Sequence, residues 1–105
     1  LREHSPDAEN CAMIIGTTME NIGVMMYQRI VPSAVVENLM GDSTIVLWRK
    51  LEVWATEIRS DFDNPHAFEW FQWLAEILET LRGDGQAPAY EAHKDWEPSR
   101  LTQEI

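Results

Sequence analysis

Phe68-Glu69-Trp70-Phe71-Gln72-Trp73-Leu74 is the stretch on which the fold of this chain turns. Read at helical spacing, it places Ala67, Phe71, Leu74, Leu78 and Leu81 on one stripe and Trp70, Trp73 and Ile77 on a second beside it. A helix apolar over that width is either central to a bundle or covered by a second chain. Large aromatics stabilise a core strongly but bring no chemistry of their own. Asn64 and Pro65 supply the cap and the first helical position, and Gly83 the stop, so this helix is expected from Pro65 to about Arg82.

The segments before it also read as helices. Ser5 is an N-cap, Pro6 a first helical residue, and Asp7 and Glu9 suit the positive end of a helix dipole. Cys11, Ile15, Met19, Ile22, Met26 and Ile30 then recur at steps of three and four, giving a first helix that runs to about Arg29. Met13 and Met25 fall beside this stripe and extend an apolar margin, and Gly16 and Gly23 weaken the helix unless a neighbour packs closely on them. A short second helix follows Ser33 with Val35, Val36, Leu39 and Met40 as its apolar side, and Gly41 is its expected stop. Asp42 caps a third helix from Ser43 to about Ser60, with Leu47, Trp48, Leu51, Trp54, Ala55, Ile58 and then Phe62 along its stripe. No period-two alternation occurs, so the chain is expected to be all-α, a compact bundle of about four helices, three long and one short. Residues 1–83 form the bundle in this reading. Residues 84–105 form a polar tail, loosely ordered or laid across the bundle with Trp96 as anchor.

Composition narrows the function classes. Eighteen acidic against eight basic residues give a net charge of −10, which repels phosphate backbones and anionic headgroups. Neither nucleic-acid binding nor direct membrane insertion by this segment is expected, and no apolar run approaches the ~20 residues of a membrane span. Cys11 is the single cysteine, so no disulfide forms within the chain; it reads as a small packed hydrophobe. The chain begins at Leu1 rather than Met, which is compatible with a missing upstream targeting or membrane segment.

Candidate chemistry is sparse. Asp61, Asp63, His66 and Glu69 offer carboxylates and an imidazole near one turn, but their spacing matches no specific metal site. Capping and a solvated face account for them, and no metal or other cofactor is expected. His4 and His93 sit in polar segments away from any activated nucleophile, and no catalytic residue is assigned. Glu20 and Arg59 form a possible polar pair. If the first and third helices pack antiparallel, an ion pair between them fixes helix register. The alternative is a small anionic ligand held by the Arg59 fork.

The order Glu20-Asn21-Ile22-Gly23, Ile30-Val31, Val35-Val36, Met40-Gly41, Trp48, Arg59 and Phe68-Glu69-Trp70-Phe71 resembles a widespread prokaryotic family of small uncharacterised helical domains, known as a domain of unknown function. The likeness covers about residues 12–78. Many members look like the soluble part behind one or two N-terminal membrane helices. The resemblance implies the helical fold and brings no activity, catalytic residue or cofactor. This chain departs from it before the second helix, where Arg29-Ile30 stand in place of the family's usual glycine.

The resulting expectation is a non-enzymatic helical module for self-association or a partner helix, acting through Trp54, Trp70, Trp73 and Ile77 and commonest as a C2 homodimer. The alternative is a small-ligand-binding or sensory domain with Glu20 and Arg59 facing a pocket. The expected location is cytoplasmic, with a tether to the inner membrane upstream of Leu1 as a variant of either reading.

Overall fold

The computed structural model describes residues 5–83 and 87–98. Helix α1 spans Pro6–Tyr27, α2 Ser33–Asp61, α3 Glu69–Arg82 and the short α4 Ala89–Ala92, and no strand occurs among the described residues. The all-α expectation holds. None of these helices is long and apolar enough to cross a membrane.

Helix α1 starts as its sequence dictates, with the Ser5 hydroxyl accepting from the Asp7 and Ala8 amides and Pro6 in the first turn. Its end is more informative. The Arg29 amide donates to the Met26 carbonyl at 3.1 Å and the Ile30 amide to Met25 at 2.9 Å, closing a Schellman motif. That motif puts Arg29 in the left-handed region at φ 62, where glycine is the strain-free residue. A glycine at this point would therefore relieve a backbone strain. Arg29→Gly is expected to stabilise the domain by about 1 kcal/mol, the steric cost of that conformation for an L-residue. A urea titration checks it; a lowered midpoint would mean that the arginine side chain contributes more than its backbone costs.

The buried face of α1 is centred one position round from the expected stripe, of which Ile15, Met19, Ile22 and Met26 still pack on the core. Ala12, Gly16, Gly23 and Met26 are buried, whereas Cys11 and Ile30 are exposed. At Gly23 the α3 backbone at Trp70 comes too close for a side chain, at Gly16 the Phe68 ring fills the space, and Ile15, Met19 and Ile22 flank this contact, half-buried.

The two expected helices are joined end to end with a kink between them. Residues 33–61 are two helical segments joined across a kink at Met40, whose φ of −147 and ψ of 16 are not helical, one position before the expected stop at Gly41. Gly41 is helical and buried just after the kink, so the chain turns at Met40 and not through a left-handed glycine. Val36 and Ile45, on either side of the bend, reach one core cluster with Met26, Leu74 and Leu78. A second cluster contains Ala12, Trp48, Leu51, Trp54, Ala55, Ile58, Phe71 and Ala75.

Helix α3 is the central element. It packs along both α1 and α2, which make only slight contact with each other, and Phe71, Leu74, Ala75 and Leu78 are buried between them. Its breadth of apolar surface is thus used largely within the chain. The helix begins at Glu69, four residues later than its sequence implies, and Gly83 ends it at φ 64. Arg49–Glu79 at 2.7 Å and an Arg82–Asp42 ion pair join α3 to α2 on the exposed side. Helix α4 packs against none of the other three, and Trp96 is 71% exposed rather than an anchor. The rest of the expected tail, residues 84–86 and 99–105, lies outside the described residues.

Candidate functional site

The late start of α3 has a local cause. Asn64 accepts the His66 amide through Oδ1 at 3.1 Å and closes an Asx turn. Residues 65–68 continue as turns, and Phe68 takes the left-handed conformation, φ 57 and ψ 27. A helix running through this point would join the Phe71 amide to the Ala67 carbonyl. Instead, the Phe71 amide donates to Glu20 Oε1 at 2.8 Å, and Arg59 Nε donates to the Ala67 carbonyl at 2.8 Å. Arg59 Nη2 also reaches the Phe68 carbonyl at 3.4 Å, and its guanidinium carbon stands 5.8 Å from the centroid of the Trp48 ring.

Glu20 and Arg59 are therefore related in a way the sequence does not reveal. They make no ion pair with each other among the described residues; each takes one half of a missing helical hydrogen bond. Glu20 comes from α1 and Arg59 from α2, so the two outer helices grip the N-terminal end of the central one. The expected direct pair is not seen because α3, not α2, is the principal neighbour of α1.

Burial pushes the Glu20 carboxyl above its ordinary value, outweighing the amides of Phe71 and Trp70, which favour the ionised form; the Glu69 charge adds to the rise and Arg59 opposes it. A pKa raised by folding means that the folded state holds more protons than the unfolded one between the ordinary value of 4.5 and the raised value. In that window the contribution of Glu20 to stability falls as pH rises. Relative to Glu20→Gln, which keeps an acceptor for the Phe71 amide but does not titrate, the wild type should lose stability as pH increases from 4.5. Paired urea titrations across that range measure the difference, and a flat or rising difference would contradict the dominance of burial.

The expected association residues separate into two groups. Trp54 is 3% exposed, packed 5.1 Å from the Phe68 ring, and its buried Nε1 has no partner; it belongs to the core and cannot present a surface. Trp70, Trp73 and Ile77 are half-buried on the α1 side of α3. Tyr27, which the stripe analysis passes over because it lies one position beyond Met26, completes this group. Its ring centroid is 4.8 Å from Trp70 and 5.7 Å from Trp73, and the two indoles are 5.8 Å apart, edge to face. Tyr27 remains 57% exposed.

The carboxylate–histidine set does not converge. His66 Nδ1 lies 2.9 Å from Glu69 Oε2, and among the described residues no group of three or more His, Cys, Asp or Glu could hold a metal ion. A groove of 320 Å³ runs beside these residues, between α1 and the end of α2, lined by Met13, Glu20, Ile58, Phe62, His66 and Phe68 among others.

The family model described as "Domain of unknown function (DUF4760)" matches residues 4–78, a span that takes in α1, α2 and most of α3 and ends before the tail. No curated protein and no solved structure matches the chain.

Proposed function

The chain belongs to the DUF4760 family, whose description carries no activity, and from that premise we propose that it is a non-enzymatic association module. Its binding surface is the aromatic face of Tyr27, Trp70, Trp73 and Ile77, and its partner is a second copy of the same chain. The carrying observation is that three mutually packed aromatic rings from two helices stay partly open to solvent instead of closing into the core. Tyrosine and tryptophan are the residues that dominate association energies, because they offer large, rigid apolar area with few torsions to fix. A face of this kind on α1 and α3 can meet its own image about a two-fold axis.

Sedimentation over a wide concentration range tests the reading. Reversible dimerisation is expected, and Trp73→Ala should weaken it by about 30-fold, the equivalent of one central aromatic anchor of ~2 kcal/mol. A chain that stays monomeric at every concentration would remove the homodimer. A second reading, as a small-ligand-binding domain, is favoured by the groove beside Glu20.

A further inference from the structure

We infer that the groove beside Glu20 is a binding site for a small organic cation with an apolar body, of the alkylammonium class. The site is separate from the aromatic association face and does not depend on it. Its walls are Met13 from α1, Ile58 from α2, and Phe62 and Phe68 from the turns between α2 and α3, so an alkyl or aryl group is solvated by hydrocarbon on several sides. At 320 Å³ it lies at the small end of the range for ligand sites, about 300–1,000 Å³.

Thr17, Asn64 and His66 also line the groove, and the Glu20 carboxylate gives it its sign. The Glu20 carboxylate accepts the Phe71 amide through Oε1 and has the Trp70 amide beside it, yet an ionised carboxylate offers about four acceptor positions. No lysine, arginine or histidine among the described residues lies within ion-pair distance of it. The nearest cation, Arg59, spends its Nε and Nη2 donors on the Ala67 and Phe68 carbonyls. Glu69 adds a second negative charge nearby, and its carboxylate holds the imidazole of His66 at the rim. Burial raises the Glu20 pKa even with the Phe71 and Trp70 amides beside it, and a ligand ammonium in the groove would favour the ionised form. An anion meets the opposite conditions: a like charge at the wall and a chain of net charge −10.

The test compares three probes that share one apolar body: hexylammonium, hexanol and hexanoate, titrated into the full chain at neutral pH with amide chemical shifts as readout. Hexylammonium should bind with shifts centred on Thr17, Glu20 and Phe62, about five-fold more tightly than hexanol, with hexanoate weakest. Glu20→Gln should bring hexylammonium down to the affinity of hexanol. Phe62→Ala alters a rim residue that is 67% exposed, so the fold survives, and it should weaken ammonium and alcohol alike. Equal binding of the three probes by the wild type, no saturable shift at about 10 mM of any probe, or an ammonium preference unchanged by Glu20→Gln would each overturn the assignment. A result for or against the amine leaves the sedimentation result untouched, so the two readings fail separately.

Discussion

Gly23→Ala should destabilise the domain by about 3 kcal/mol, the upper part of the usual range for inserting a methylene into a packed contact. A Cβ at Gly23 would stand 2.5 Å from the Trp70 carbonyl oxygen and 3.0 Å from its carbon. Both are backbone atoms of α3, so relief requires the central helix to move away from α1. That movement would also pull the Phe71 amide from Glu20, since both contacts lie at the same crossing. Helix propensity acts the other way, favouring alanine by about 1 kcal/mol, and is outweighed. Gly16→Ala is the internal control. There the new atom would meet Phe68 side-chain carbons at 2.6 and 3.0 Å, and a ring can shift where a carbonyl cannot. Its loss should be clearly smaller. Urea titration of the two variants reads the difference directly, with an unchanged m-value showing that the same structure unfolds. Equal losses at both positions would mean that α3 is free to adjust along α1.

The same crossing explains which parts of the fold are legible in the sequence. Periodicity of large apolar residues finds Phe71, Leu74 and Leu78 because each fills volume between two helices. It finds Ile15, Met19, Ile22 and Met26 on α1 but misses the centre of that face, because Ala12, Gly16 and Gly23 carry no large side chain. Gly41 marks the right place by the wrong mechanism: the helix is interrupted at Met40, one residue earlier, while the glycine itself stays helical and buried, with only the Glu37 Cγ, at 3.5 Å, near the position of an added Cβ. The start of α3 is hidden for a third reason. Asn64-Pro65 is a sound local start, and what overrides it is the demand of Arg59 and Glu20, distant in sequence, on the peptide groups of residues 67–71. Pairing those two polar residues was within reach of sequence reasoning; placing a turn of backbone between them was not. Tyr27 and the groove were likewise invisible, since both arise where helices end.

Arg59→Met should cost about 2–3 kcal/mol, the penalty for leaving a partly buried acceptor without its charged donor. Methionine keeps most of the apolar stem, so packing loss is small and the Ala67 carbonyl is the main casualty. Phe68 adds to the loss, because a left-handed phenylalanine persists only where its surroundings hold it. Arg59→Lys should recover part of the stability through one donor and a retained charge over Trp48, but not the second contact to Phe68. The alternative outcome is specific. If α3 can simply extend backwards and restore the bond between the Phe71 amide and the Ala67 carbonyl, Arg59→Met will cost under ~0.5 kcal/mol, like an ordinary surface change. Combining Arg59→Met with Glu20→Gln then decides how the two side chains cooperate. Because they hold opposite ends of one broken hydrogen bond, removing the second should cost less than removing the first, with a coupling of at least ~0.5 kcal/mol. Strict additivity would mean that each side chain merely satisfies its own peptide group, and that α1 and α2 grip the central helix independently.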